Sequence, residues 1–442
     1  MGAEAVLPRD ILITDGRVSA LVEPGASGAD EEIDARGLLA LPGIVDAHVH
    51  FNEPGRTEWE GWEHGSRAAA AGGVTTVADM PLNSIPPTLD GAAFDAKRAA
   101  AERSSVVDFA LWGGLVGEDP APLRELAERG VVGVKAFLCD SGVPEFPALT
   151  DDLAMALDAA ADAGLLVAIH AEDAELVAEA TARARASGRR DPGAWAPSRP
   201  ASAEARAIAR ACTAAGVAAA RIHIVHLAAA EALGAVGVAR ERGVDVTVET
   251  CPHYLVFDEA DALAQGAALK CAPPIRGAAE RDALWSALLG GKIDLVASDH
   301  SPSSPDLKAR RDIFEAWGGV NGVQSMLPAV MTEALRRAGE ALDPRRVAGF
   351  IAWRLAARPA QRLGLWPRKG AIGPGCDADV ALVEVGRPRR LDPADVLTRG
   401  GSTPYAGRTF DVVVRRTIVR GRTVFDDGAF PAAPGWGRLV TP

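Results

Sequence analysis

The sequence is poor in several residue types, and each scarcity narrows the class of protein. Aromatic residues make up only 5% of the 442 residues, so the core must consist mostly of aliphatic side chains. No run reaches the ~20 uninterrupted apolar residues that a membrane span needs. The formal net charge is −12, and lysine and arginine form no stripe with interleaved aromatics. We therefore expect neither a membrane nor a nucleic-acid partner.

Cysteine is scarce as well. The five cysteines are Cys139, Cys212, Cys251, Cys271 and Cys376. They are odd in number and dispersed, and they form no C-x-x-C pair, which argues against a disulfide framework and for a reducing compartment. The first residues, MGAEAVLPRDILITDG, lack the basic and apolar segments of a secretory signal peptide. These features predict a cytoplasmic protein.

Between residues 44 and 300, short β-branched runs alternate with stretches of helical periodicity. The eight runs of strand character are GIVDAHVH, GVTTVADM, SVVDFALWGG, GVVGVKAF, GLLVAIHAE, RIHIVHLA, DVTVETCPHYL and DLVASDHSP. Helix candidates such as GAAFDAKRAAAER and AEARAIARACTAAG lie between them, and several end on Gly. Eight strand–helix units in series predict an α/β fold, a TIM-type (β/α)₈ barrel over residues 44–369.

The two ends of the chain have a different pattern. Residues 1–43 contain ILITDGRVSALV and EIDARGLLAL, which predict hairpin strands with Asp-Gly and Arg-Gly turns. Residues 370–442 contain DADVALVEV and FDVVVRRTIVRGRTVFDDG, again of strand character. Neither end is long enough to bury a core alone, so we predict that both together form a small β-sandwich. Within the barrel, PGAWAPSRP at 192–200 predicts an ordered surface loop.

Most of the eight histidines fall at the ends of predicted strands. The first strand ends with His48 and His50, whose side chains share a face because strand residues alternate. The fifth strand ends with His170, the sixth with His226 and the eighth with Asp299. A single histidine on an apolar strand is more often a packed core residue. Four at the functional end of a barrel, with an aspartate, indicate a site for Zn²⁺ or a similar ion.

Lys135 ends the fourth predicted strand. An ammonium group beside divalent ions is unfavourable, which leaves two alternatives. The side chain could point outward. Otherwise, its neutral amine could add CO₂ and become a carbamate that bridges two cations. The positive charge of two divalent ions would then slightly exceed the negative charge of the carbamate, Asp299 and a hydroxide. The small net positive charge would stabilise a developing oxyanion.

These motifs together resemble the cyclic amidohydrolases of the amidohydrolase superfamily, a group that comprises dihydroorotases, hydantoinases (dihydropyrimidinases) and allantoinases. The resemblance covers essentially the whole chain, through PGIVDAHVH, VKAF, IHAED, HIVHLA, ETCPHYL, KCAPPIR, ASDHSP and KGAIGPGCDADV. It implies two divalent ions per chain, zinc first and cobalt, manganese or iron as alternatives. The implied metal ligands are His48, His50, Lys135, His170, His226 and Asp299. Lys135 would be carboxylated and bridge the ions, Asp299 would be catalytic, and the chain would form a homotetramer.

The resemblance also separates the members of the group. Dihydroorotases carry an arginine two residues after the H-x-H pair, where it binds the substrate carboxylate; here this residue is the neutral Asn52. Hydantoinases carry a tyrosine five residues after the bridging lysine, and here Asp140 takes that position. The stretches FNEPGRTEWEG, MPLNSIPPT and EAWGGVNGVQ resemble allantoinases most. Hydrolysis of the hydantoin-ring amide of allantoin to allantoate, in purine or ureide catabolism, is therefore expected, with substrate contacts from Asn52, Asn83, Ala272 and Gly318.

Several alternatives remain at this point. Asn52 and Asn83 could merely support loops. The substrate could be another cyclic ureide, as for a hydantoinase or dihydropyrimidinase, or dihydroorotate. A different class is an assembly scaffold, because some relatives of these enzymes have lost metal ligands; the complete ligand set argues against it.

Four histidines have less specific predictions. His253 and His300 could face the substrate or support the ligands. His223 is expected to be buried away from the site, and His64 to lie on the surface at the start of a helix.

Overall fold

The computed structural model describes residues 6–25, 28–150, 152–339 and 344–442. The strands in these ranges are β1 Asp10–Thr14, β2 Arg17–Val22, β3 Leu39–Pro42, β4 Ile44–Val49, β5 Val74–Asp79, β6 Asp108–Leu111, β7 Gly113–Gly114, β8 Val134–Phe137, β9 Val167–His170, β10 Ile222–Ile224, β11 Val246–Thr250, β12 Leu295–Val296, β13 Val380–Arg390, β14 Thr409–Val419 and β15 Arg422–Asp426.

The α-helices in the same ranges are α1 Gly61–Ala71, α2 Gly91–Ser104, α3 Pro120–Glu128, α4 Leu153–Asp162, α5 Ala174–Ala186, α6 Ala201–Val217, α7 Leu233–Glu241, α8 Pro252–Val256, α9 Glu259–Gln265, α10 Ala278–Leu289, α11 Pro305–Lys308, α12 Met326–Ala338, α13 Pro344–Ala352 and α14 Arg358–Arg362. A π-helical turn, Trp353–Ala357, joins the last two.

A barrel of parallel strands runs from β4 to β12. Its sheets have the orders β4-β5-β6 and β12-β11-β10-β9-β8-β7, and β6 and β7 are two parts of one strand interrupted at Trp112. The barrel closes where Val49 pairs with His300 and the backbone N–H of His50 donates to the carbonyl of His300 at 2.7 Å. The predicted (β/α)₈ barrel is confirmed.

The helices that alternate with these strands follow the predicted segments closely. Residues 91–103 lie in α2, and residues 203–216 lie in α6. Asp90 begins α2 by accepting a hydrogen bond from the backbone N–H of Ala93 at 2.8 Å, as an N-cap residue does. Asp173 begins α5 in the same way. These helices surround the strands and set the loops at the carboxyl ends of the barrel.

The ends of the chain combine into the small β-sandwich. One sheet has the order β15-β14-β13-β3, so a strand from before the barrel pairs with strands from after it. The hairpin of β1 and β2 turns at Asp15 and Gly16, both with positive φ, as predicted for Asp-Gly. The predicted strand over 32–41 is only partly correct, because 32–35 are irregular and the strand begins at Leu39. The exact boundaries 1–43, 44–369 and 370–442 stay a prediction.

A buried ionic cluster joins the sandwich to the bottom of the barrel. Nζ of Lys369 lies 2.5, 3.0 and 2.8 Å from carboxylate oxygens of Asp108, Asp377 and Asp379. Arg420 also pairs with Asp108, at 3.0 Å. Buried charges of this kind are tolerated only when they are paired, so the cluster fixes the position of the terminal strands relative to the barrel.

The remaining composition-based expectations concern cysteines and membranes. All five cysteines are free and buried. Along the part of the chain that the structure describes, no helix combines the length and apolar character needed to cross a membrane.

Candidate metal centre

Two histidines and an aspartate converge at the carboxyl end of the barrel. Nε2 of His48 and Nε2 of His50 lie 3.3 and 3.5 Å from Oδ1 of Asp299. His48 lies in β4 and His50 directly follows it, two positions along on the same face as the alternation of side chains predicts. Asp299 follows β12. All three residues are buried. Their ligand atoms lie close enough together to hold one metal ion.

A second group lies beside the first. Nδ1 of His170, at the end of β9, is 3.1 Å from Nε2 of His226, which follows β10. Nζ of Lys135 is enclosed and has no hydrogen-bond partner in the structure. Lys135 is 1% exposed and interacts electrostatically with Glu249 and Asp299, so its side chain points into the barrel and the outward alternative is wrong. The structure therefore brings the predicted strand-end residues to one end of the barrel interior.

Two of the histidines are held by acceptors on their other ring nitrogen. Glu249 of β11 accepts from Nδ1 of His48 at 2.6 Å, and the carbonyl of Leu82 accepts from Nδ1 of His50 at 2.7 Å. A proton on Nδ1 leaves Nε2 as a lone-pair donor, which is the tautomer that a metal needs. Both Nε2 atoms are the ones that face Asp299.

The ring of His170 is held through Nε2, whereas His48 and His50 are held through Nδ1. Glu172 accepts from its Nε2 at 2.8 Å, which leaves Nδ1 to face His226. The same carboxylate is paired with Arg199 through a contact of 2.6 Å. The segment 192–200 is therefore not a surface loop throughout, as predicted. It forms two short 3₁₀ turns, and its last part is buried because Arg199 reaches inward behind His170.

The electrostatics favour ligands in the form that binds cations. Burial lowers the pKa of His48, His170 and His226 below the usual value, which favours the neutral imidazole. Burial also lowers the pKa of Lys135 to about 8, against the opposing effect of Glu249 and Asp299. The amine is consequently easier to deprotonate than an exposed lysine.

Asp299 is held as a carboxylate. Burial alone would raise its pKa, but His48, His50 and His226 together hold the pKa well below the usual range for aspartate. Its φ of 46° lies in the left-handed region, which is uncommon outside glycine and occurs at functional sites. His226, with φ of 41°, shares this conformation.

The predicted substrate contacts lie in the loops above these residues. Nδ2 of Asn52 donates to the carbonyl of Pro302 at 3.0 Å, and Nδ2 of Asn83 lies 3.4 Å from Oδ1 of Asn52. Both amides thus support their loops, as the alternative prediction for these residues requires. Ala272 and Gly318 are both partly exposed, and a Cβ at Gly318 would meet the carbonyl of Lys270 at 3.8 Å. Substrate contact by these residues stays a prediction.

Asp140, five residues after Lys135, belongs to a surface turn. It is exposed, and its Oδ1 accepts from the backbone N–H of Gly142 at 3.0 Å, so it shapes its own turn. Of the two tyrosines, Tyr254 donates its hydroxyl to the carbonyl of Pro273 at 2.7 Å.

The other histidines have separate environments. His300 accepts from the backbone N–H of Gly322 at 3.1 Å and supports the closure of the barrel. His253 is fully buried with neither ring nitrogen paired in the structure. The prediction for His64 is wrong in part, since this residue is half-buried in the first turn of α1.

The prediction that His223 lies away from the site is wrong. Its Nε2 lies 3.0 Å from Oε2 of Glu249, the carboxylate that also holds His48. Its Nδ1 is bonded to the hydroxyl of Thr247 at 2.7 Å. His223 therefore helps to hold a carboxylate that fixes a metal-ligand candidate.

Sequence reasoning missed the residues behind the ligands, above all Glu249, Glu172 and Arg199. The signal for Glu249 is present in the sequence: a carboxylate on the interior of the β-branched run DVTVETCPHYL has to be paired if the strand is buried. Arg199 carries no such signal, because its proline-rich surroundings resemble those of a surface turn.

The barrel with ligand candidates at the ends of β4, β8, β9, β10 and β12 defines a class. Residues 39–424 match the amidohydrolase family, and the chain belongs to that family. Two relatives, both named allantoinase, come from Rubrobacter xylanophilus (49% identical, covering 98% of this chain and 94% of that protein) and Solibacter usitatus (47% identical, covering 100% and 94%). Among solved structures, L-hydantoinase (dihydropyrimidinase) from Arthrobacter aurescens has a TM-score of 0.93 at 31% identity and covers 98% of this chain and 96% of its own.

Proposed function

We propose that this protein is a metal-dependent cyclic amidohydrolase that hydrolyses the ring amide of allantoin to give allantoate. The observation that carries the proposal is the similarity along nearly the whole chain to allantoinases, at 49% and 47% identity. The similarity to the hydantoinase structure is lower, at 31%. Asn52 in place of a carboxylate-binding arginine, and an exposed Asp140 in place of a tyrosine, support the same choice.

The site fits a pair of divalent ions. His48, His50 and Asp299 would hold one ion, and His170 and His226 the other, with carboxylated Lys135 between them. The fit rests on the enclosed Nζ of Lys135, which has no partner in the structure. It rests also on Nδ1 of His170 and Nε2 of His226, which face each other at 3.1 Å in imidazoles whose neutral form burial favours. When bound, such ions polarise a carbonyl and lower the pKa of an attacking water.

The residues of the chain then supply the proton transfer. Water that attacks the ring carbonyl has to lose a proton, and the ring nitrogen has to gain one before it can leave. Asp299 is the group suited to both steps, because it is ionised, buried and directed at the same space as His48 and His50. It accepts the proton from water and donates it to the leaving nitrogen.

Identity of the metal and assembly of the protein belong to the same proposal. Zinc is proposed because imidazole and carboxylate ligands suit it, with cobalt, manganese or iron as alternatives. A homotetramer in the cytoplasm, taking part in purine or ureide catabolism, is proposed from the resemblance to the family.

A parallel assay of four ring substrates tests the activity. Purified protein reconstituted with zinc and bicarbonate should hydrolyse allantoin with the highest kcat/KM among allantoin, hydantoin, dihydrouracil and dihydroorotate. A higher kcat/KM for hydantoin or dihydrouracil would establish the hydantoinase alternative instead. Metal analysis of the same sample should give two ions per chain, and one ion or none would contradict the dinuclear site.

A further inference from the structure

Arg56 occupies a distinctive position at the mouth of the barrel. It lies in the loop that follows β4, where its backbone N–H donates to the carbonyl of Asn52 at 3.0 Å. Its guanidinium carbon lies 4.5 Å from the ring centre of Trp59 and 5.7 Å from that of Trp317. The two indoles meet edge to face with 5.0 Å between their centres. Arg56 and the two indoles form a group that we call the arginine–indole wall.

The wall joins the loops that follow the first and last barrel strands. Trp317 lies close to the point where Ser301 donates its backbone N–H to the carbonyl of Val320 at 3.0 Å, and Gly319 packs tightly against Ser301. Ser301 follows Asp299 by two residues, and Asn52 follows His50 by two residues. The wall is therefore anchored on both sides to the segments that carry metal-ligand candidates.

In the part of the chain that the structure describes, the guanidinium of Arg56 has no carboxylate partner, unlike those of Arg199 and Arg276. Within the described ranges, no carboxylate lies within 4.0 Å of its nitrogens. Its Nη1 is enclosed and has no hydrogen-bond acceptor. By contrast, Arg199 pairs with Glu172 at 2.6 Å and Arg276 pairs with Glu204 at 3.4 Å. The side chain of Arg56 as a whole is only partly buried. A guanidinium carries five N–H donors, and those outside the enclosed Nη1 are left for an acceptor on a substrate.

The chemistry of the wall selects a flat group that carries a carbonyl. A guanidinium presents N–H donors in a fixed plane, and it pairs well with an oxygen acceptor. An indole face stacks on planar groups as well as on cations. A urea has both features, a planar framework and a strong carbonyl acceptor. Asn52, next to the wall, adds a neutral amide.

We propose that the arginine–indole wall recognises the exocyclic ureido group of the substrate, with Arg56 donating to the urea carbonyl. The inference rests on the proposed function and adds to it the residue that separates a ureido-substituted ring from an unsubstituted one. Because the ureido group takes no part in bond cleavage, the interaction acts mainly on substrate binding.

Steady-state kinetics with three substrates test the assignment: allantoin, hydantoin without a side chain, and hydantoin-5-acetic acid with an anionic side chain. Arg56→Met should lower kcat/KM for allantoin at least about 10-fold more than for hydantoin, chiefly through KM. Arg56→Lys keeps the charge but loses the planar donors, so its loss should be intermediate. Arg98 lies on the exposed face of α2, where it pairs with Glu102. Arg98→Met is therefore the matched control, and it should leave kcat/KM for allantoin and for hydantoin unchanged.

The outcomes separate this inference from the proposed function. Failure of the wild-type protein to hydrolyse allantoin would refute the proposed function before any variant is compared. With active wild type, equal losses on allantoin and hydantoin, or no loss, would overturn the role of Arg56 in recognising the ureido group. A larger loss on hydantoin-5-acetic acid than on allantoin would overturn it too, because the wall would then select an anion. Melting temperature and metal content, equal to wild type, confirm that each variant is folded.

Discussion

Glu249 accepts a hydrogen bond from Nδ1 of His48 at 2.6 Å, while its other oxygen lies 3.0 Å from Nε2 of His223. Burial alone would raise the pKa of Glu249, but the two histidines lower it to about 2. This carboxylate therefore stays ionised and holds His48 in the tautomer that directs Nε2 towards Asp299. A further hydrogen bond to Glu249 comes from the backbone N–H of His226 at 3.3 Å, so Glu249 acts by positioning His48 and its neighbour.

The first prediction concerns Glu249. Glu249→Gln keeps the size of the side chain but replaces the charged acceptor, so the ring of His48 loses its preference for one tautomer. We expect metal affinity to fall by roughly 10- to 100-fold, measured by competition with a chromogenic chelator. Glu241→Gln, on the exposed end of α7, should leave the affinity unchanged. An unaltered affinity in Glu249→Gln would show that the carboxylate does not position His48.

The second prediction concerns the pair of Arg199 and Glu172, both buried. Arg199→Met would leave the carboxylate of Glu172 without its cation, and breaking a buried pair in this way costs about 3–5 kcal/mol. The double variant Arg199→Met/Glu172→Gln removes the isolated charge, so it should be less destabilised than the sum of the single variants. Denaturant unfolding of the four proteins measures this coupling. Additive losses would show that the two residues act independently.

The third prediction concerns the pH dependence of metal loading through Lys135. Addition of CO₂ needs the neutral amine, and the pKa of Lys135 in the metal-free protein is lowered to about 8. The neutral fraction rises about tenfold per pH unit below that value and then levels off. At a fixed concentration of dissolved CO₂, the rate of reconstitution of metal-free protein should therefore rise from pH 6 to 8 and flatten above it.

Two results would contradict this role of Lys135. One is a loading rate that does not change with pH. The other is a Lys135→Ala variant that retains both metal and full activity. If the carbamate idea is correct, Lys135→Ala loses both, and a short carboxylic acid added in solution partly restores them because it supplies a carboxylate in the vacated space.

The sequence predicts the barrel well because its interior strands are short β-branched runs, and such runs between helical segments have few alternative arrangements. It also predicts the positions of His48, His50 and Asp299, since the carboxyl ends of parallel strands meet at one end of a barrel. The residues behind the ligands were not predicted. Glu249 is 201 positions from His48, and pattern alone does not reveal which distant side chains will meet.

The pairing of β3 with β13 illustrates the same limit. Val380 of β13 lies opposite Pro42 of β3, and the sequence indicates strand character at both places without fixing their register. Arg199 is a sharper case, because its surroundings of Pro, Gly and Ala predict a surface turn. Its burial follows from the buried carboxylate of Glu172, which needs a cation, and this requirement is visible only once the fold places the two together.

The last prediction concerns Asp299. Asp299→Asn removes the charge but keeps the shape, so the barrel should fold while the proton transfer between water and the leaving ring nitrogen is lost. We expect kcat for allantoin to fall by at least ~10²-fold, and metal content measured in parallel distinguishes a lost proton carrier from a lost ligand. A variant that retains two ions per chain and loses kcat supports the proton-transfer role, and one that loses metal in proportion to activity supports the ligand role alone. Near-normal kcat would exclude Asp299 from the mechanism. The matched control is Asp312→Asn. Asp312 lies in the segment that follows β12 and pairs with Arg190 at 3.0 Å, so this variant should retain both metal and kcat.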